Sequence, residues 1–120
     1  MALVNQVQKR AVMPKWEIVK FQILAHCYIN RIAVSESDLN CLTLLSMTGP
    51  IELTHFCYDA SSDEQMIFKS PQTVRNAINK AMKNMLAIKD DTDKKIIKLN
   101  PSLKVQTEGD ILLDYKFLGR

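Results

Sequence analysis

No stretch of this sequence approaches the roughly 18 uncharged apolar residues that a membrane helix needs, so no membrane span is expected. Glycine is scarce, at three residues in 120. That leaves little room for a phosphate-cradling loop or a G-x-S-x-G nucleophile turn. Cysteine is scarce too. Cys27, Cys41 and Cys57 are odd in number and widely spaced, which argues against a disulfide scaffold and against paired C-x-x-C metal or redox motifs. Their apolar surroundings read as those of small buried hydrophobes in a reducing compartment. The two histidines, His26 and His55, have no second ligand at i+4, and Glu52-x-x-His55 resembles half of a di-metal bundle pair without its other half. Neither a metal site, a cofactor nor an enzymatic activity is expected. The start, Met1 to Asn5, lacks a basic leader with an apolar run behind it, so a cytoplasmic location is expected.

Cations are missing from a whole third of the chain. Between Ile32 and Phe68 there is no Lys or Arg, only the acids Glu36, Asp38, Glu52, Asp59, Asp63 and Glu64. From Lys69 to Lys89 the sign inverts, and Lys69, Arg75, Lys80, Lys83 and Lys89 stand with no acid among them. A net charge of +3 is thus concentrated in one local cation source.

What is present fits one domain with one core. Residues 1–13 read as an N-terminal arm and 14–120 as the domain. Pro14 suits a first helical position, and a helix is expected from there to about Arg31. Nine of the twelve residues from Ile18 to Ile29 are apolar, wider than a one-sided stripe. Such a helix either runs through the middle of the fold or meets another subunit. Ser35 or Ser37 reads as the cap of a second helix reaching Met47, with Gly49 in the left-handed position after it and Pro50 preventing continuation. A short helix is expected over Ile51 to Tyr58, then a polar loop at 61–65. The clearest start signal is Ser70-Pro71, an N-cap followed by proline at the first helical position. Behind it Val74, Ala77, Ile78, Ala81, Met82, Met85 and Leu86 recur with full amphipathic spacing. Period two then takes over: Ala87–Lys89 and Lys95–Leu99 flank the turn cluster Asp90–Asp93, a hairpin signal. Leu103–Thr107 and Ile111–Leu118 read as further strands. The class is α+β, mainly helical.

This order, with Gly49 closing one helix, Ser70-Pro71-Gln72-Thr73-Val74-Arg75-Asn76 opening another and a hairpin after Met85-Leu86-Ala87-Ile88, resembles the winged helix-turn-helix superfamily. It is similar to segments of phage and plasmid replication and regulatory proteins, and covers about Ser37 to Leu99. Against that pattern, this chain adds an N-terminal helix and a C-terminal β-hairpin, has a longer loop at Asp59–Lys69, and carries Leu86-Ala87 where glycine is common. The resemblance implies that the Pro71–Leu86 helix contacts double-stranded DNA. An exposed helix fits the major groove. Gln72, Arg75, Asn76 and Asn79 are types that pair with base edges, with Thr73 beside them. Lys69, Lys80 and Lys83 could meet phosphates. The acids at the wing tip argue that the wing itself stays away from the DNA backbone.

A second expectation uses the same fold as an assembly block in a phage particle, a connector or ring component in the host cytoplasm or the virion. There the 14–31 helix and the C-terminal strands would make the contacts, with copies of the chain or with other assembly proteins.

Overall fold

The computed structural model describes residues 12–62, 68–113 and 119. Four helices and a small three-stranded antiparallel sheet follow in the order α1 (Lys15–Ile29), α2 (Glu36–Thr48), β1 (Ile51–Glu52), α3 (Leu53–Ser62), α4 (Pro71–Lys83), β2 (Ala87–Lys89) and β3 (Ile96–Leu99), with a 3-10 turn at Pro101–Leu103. The architecture is α+β and mainly helical. Among the described residues no helix is long and apolar enough to cross a membrane.

The two strongest start signals form as their chemistry dictates. Ser35 and Asp38 make a reciprocal capping box: the Asp38 N–H donates to Ser35 Oγ and the Ser35 N–H to Asp38 Oδ2, each at 3.1 Å. At the other end Gly49 takes φ 84° and ψ −169°, a region of backbone space essentially reserved for glycine. Ser70 caps α4 by accepting the Thr73 N–H, with Pro71 directly after it.

The core lies where α2, α3 and α4 pack together and against the sheet, with α1 laid on α2. Val19 and Ile23 of α1, Leu42 and Leu45 of α2, Phe56 of α3, Val74 and Ile78 of α4, Leu86 just before β2 and Ile97 of β3 are all fully buried. Each such side chain contributes about 1.5–3 kcal/mol by leaving water. Thr43 is buried among them, and its hydroxyl is satisfied by the Leu39 carbonyl at 2.7 Å. All three cysteines are free and buried. Burial, with Cys57 and Asp38 nearby, pushes the Cys41 thiol up to about 12.

Strand β3 runs through the centre of the sheet, pairing Ile51 with Ile97 on one side and Ala87, Ile88 and Lys89 with Leu99, Lys98 and Ile97 on the other. Here Ile51–Glu52 departs from the expected short helix. The pair is captured by β3 as a two-residue edge strand, and the Leu53 N–H continues the ladder to the Lys95 carbonyl at 3.0 Å. Helix α3 therefore begins later and runs through Ser61–Ser62, which were expected to be loop.

Helix ends also differ from the sequence reading. Helix α1 stops at Ile29, and Arg31 takes φ 58°. Helix α4 stops at Lys83, and Met85, expected in the core, takes φ 60° and is 63% exposed. The backbone must reverse before it can start β2, and the one left-handed residue that does this falls on Met85. Asn100 holds that corner by donating to the Met85 carbonyl at 2.8 Å.

Leu103–Thr107 is not a strand. Asn100 caps the 3-10 turn, Lys104 takes φ 53°, and no strand forms from 104 to 113. Ile111–Leu113 is likewise irregular, and the rest of the expected last strand lies outside the described residues, as does 1–11 of the arm. A side chain has replaced a strand as the pairing partner here. The amide of Gln22, on α1, donates to the Gln106 carbonyl at 2.9 Å and accepts the Gln106 N–H at 2.8 Å. That two-way bond ties the C-terminal segment to α1 and explains how a glutamine comes to be buried.

Candidate nucleic-acid interface

Val74, Ile78 and Ala81 turn α4 inward. At 3.6 residues per turn, Gln72, Arg75, Asn76, Asn79 and Lys83 then fall within an arc of about 100° on its other side. Four of the five are exposed, and Arg75 is half-buried. Gln72 donates to Asn76 Oδ1 at 2.9 Å, so the two amides lie side by side on the surface. Lys69, just ahead of the cap, is exposed as well.

The remaining two candidates, Thr73 and Lys80, lie at the edge of this arc and are engaged within the fold. Thr73 Oγ1 is 3.1 Å from the capping Ser70 Oγ. Lys80 Nζ donates to Asp38 Oδ2 at 2.8 Å, which fastens α4 to the start of α2. Burial alone would raise the Asp38 carboxyl. The hydrogen bonds from Lys80 and Ser35, with the Lys80 charge, outweigh it and hold Asp38 below the usual carboxylate range. Lys80 thus has a partner within the fold, while about half of its side chain stays exposed.

Arg75 faces a different neighbourhood. Its guanidinium donates to Thr54 Oγ1, in the first turn of α3, at 3.4 Å. It lines an open cleft of about 350 Å³ together with Glu52, Leu53, Thr54, Lys89, Lys94, Lys95 and Ile97. Four cations therefore face one carboxylate in the space between α4, the start of α3 and the β2–β3 hairpin. Lys89, Lys94 and Lys95 were not among the expected site residues. Lys94 and Lys95 read along the chain as mere counterweights to the nearby acids. They join Arg75 because β3 pairs with both β1 and β2, a long-range arrangement with no local signature.

The hairpin's acids are deployed elsewhere. Asp90 Oδ2 accepts from the Thr92 N–H and hydroxyl, and Asp90 Oδ1 lies 3.5 Å from Lys98 Nζ. These contacts, the Thr92 hydroxyl first, hold the Asp90 carboxyl below its ordinary range. Asp93 Oδ1 accepts the Lys95 N–H at 2.9 Å. Both carboxylates are turn-makers, and neither they nor Asp91 lines the basic cleft. The hairpin thus has an acidic tip and a basic inner side, and the expected repulsion of a phosphate applies to the tip alone.

Among the described residues no three His, Cys, Asp or Glu side chains converge as a metal site would require. His55 lies 3.0 Å from Asp59 one turn on, at the surface.

No family model, curated protein or solved structure matches the chain.

Proposed function

We propose that this chain is a winged helix-turn-helix module that binds double-stranded DNA, with α4 as its recognition helix and β2–β3 as its wing. The connectivity α2–β1–α3–α4–β2–β3 and the sheet order β1–β3–β2 support the fold name. The observation that carries the function is Arg75, which belongs both to the outer arc of α4, with the exposed Gln72, Asn76, Asn79 and Lys83, and to the cleft lined by Lys89, Lys94 and Lys95. The first set has base-edge chemistry on a helix that fits the major groove. The second is a concentration of cations without base-reading groups, suited to the sugar-phosphate backbone.

The test is fluorescence anisotropy with labelled duplex DNA across a salt series. Affinity is expected to fall log-linearly with salt, because each phosphate contact releases counterions. Removing Lys94 or Lys95 is expected to lower the salt slope by about 1 per contact and to weaken all sequences alike. Arg75→Ala is expected to cost about 1–3 kcal/mol and to relax sequence preference. Lys80→Gln is expected to change fold stability more than DNA affinity. Absence of salt-dependent duplex binding would overturn the proposal.

A protein-assembly role is a second reading, favoured by one specific observation, the exposed apolar side of α1.

A further inference from the structure

Along α4, Gln72, Asn76, Asn79 and Lys83 follow at intervals of four, three and four, which places them in one stripe about 60° wide. Three of the four are carboxamides, and all four residues are exposed. The helix carries no acid. Gln72 Nε2 donates to Asn76 Oδ1 at 2.9 Å. That bond leaves Gln72 Oε1 free to accept and Asn76 Nδ2 free to donate, with no further partner for either among the described residues. Turning both amides over would reverse the bond and still leave one acceptor and one donor. The Asn79 amide has no hydrogen-bond partner among the described residues. Arg75 lies off the stripe, on the side of the cleft, and already donates to Thr54.

We infer that this stripe reads adenine, so that A·T pairs form the centre of the recognised duplex. The inference rests on the DNA-binding proposal and names the sequence class that the proposal leaves open. Adenine shows a donor, N6, beside an acceptor, N7, in the major groove, whereas guanine shows two acceptors, N7 and O6. A carboxamide also holds one donor beside one acceptor, so it satisfies both groups of adenine. Against guanine its oxygen would meet another acceptor. Cytosine and thymine each offer it a single polar group. The guanine-matching side chain, Arg75, is the one that the fold draws toward the cleft. From Gln72 to Asn79 the helix rises about 10 Å, the length of about three base-pair steps. Two adenines are therefore expected within that span, one under Gln72 and Asn76 and one under Asn79. Lys83, a turn beyond, is placed for the flanking phosphate.

The test is selection of bound duplexes from a randomised library by the full chain, followed by anisotropy on the enriched sequence. Enrichment of two adenines within about three steps is expected. Changing either A·T pair to G·C is expected to weaken binding about tenfold. Placing 7-deazaadenine there, which lacks N7 and leaves the minor groove as it was, is expected to weaken it about fivefold. Asn79→Ala is expected to bind the A·T and G·C forms alike at one of the two positions, and Asn76→Ala at the other, with circular dichroism confirming that both variants fold. Enrichment of G·C pairs, or salt-dependent binding without base preference, would overturn the inference and leave the DNA-binding proposal standing. So would an A·T preference indifferent to 7-deazaadenine, since that is the mark of minor-groove shape. Absence of any duplex binding would remove both.

Discussion

Helices α1 and α4 are of similar length, 15 and 13 residues, and face the solvent in opposite ways. Helix α4 divides cleanly: Val74, Ile78 and Ala81 inside, amides and cations outside. Helix α1 mixes the two, burying Gln22 while leaving Leu24, Tyr28 and Ile29 in water. A clean division tells which side meets the core and leaves the other side to be judged by its chemistry. In a mixed helix the inside is chosen by whatever packs against it, so polarity stops being a guide. Gln22 is inside because the Gln106 backbone, 84 residues away, can bond its amide in both directions.

The strongest challenge to this comparison is a pair of truncations. Ile78→Ala, in the buried seam of α4, is expected to cost about 2–5 kcal/mol, whereas Leu24→Ala, on the open side of α1, is expected to cost well under that. Urea unfolding of both at a concentration that keeps the chain monomeric reads the difference. Comparable losses would mean that α1 has no open side.

Gln22→Leu probes the buried amide. An apolar residue there would suit a simple core, yet we expect a loss of about 1–2 kcal/mol from the two bonds to Gln106, together with faster proteolysis in the 104–113 segment. A neutral or stabilising result would show that the C-terminal segment is not held by this contact.

Asp38→Asn concerns the fastening of α4 to α2. It weakens both the capping box and the Lys80 bond, and we expect a loss of about 1 kcal/mol at neutral pH. The pH dependence carries a sign. Because the folded carboxyl lies below its ordinary value of 3.8, its contribution is complete above that value and is lost as pH falls through the lower folded one. Wild-type stability should therefore drop below about pH 4, with a shallower drop in Asp38→Asn. Parallel acid limbs in the two proteins would remove Asp38 from the account.

The smallest effect is expected at Met85. Glycine accepts φ 60° without the steric cost that a side chain bears, so Met85→Gly should gain up to about 1 kcal/mol. A loss would show that the exposed methionine makes contacts worth more than the strain.

Much of this molecule could be read along the chain. Ser35, Gly49 and Ser70-Pro71 mark helix boundaries because capping is local chemistry, settled within four residues. The exposed face of α4 followed from its period, and so did the β2–β3 hairpin. The hidden half of the candidate interface could not be read that way. Lys94 and Lys95 look like part of an acidic tip until β3 lies between β1 and β2 and turns them toward Arg75. Lys80 looks like a spare cation until Asp38, 42 residues before it, takes its proton-bearing end.

The sequence by itself determined the capped starts of α2 and α4, the amphipathic division of α4 and the turn between β2 and β3, since each depends on neighbours a few residues apart. Only the tertiary structure decided which cations gather around Arg75, which are spent inside the fold, and which side of α1 remains uncovered. Those outcomes depend on groups brought together from distant parts of the chain, and a pairing of that kind leaves no mark in the local pattern of residues.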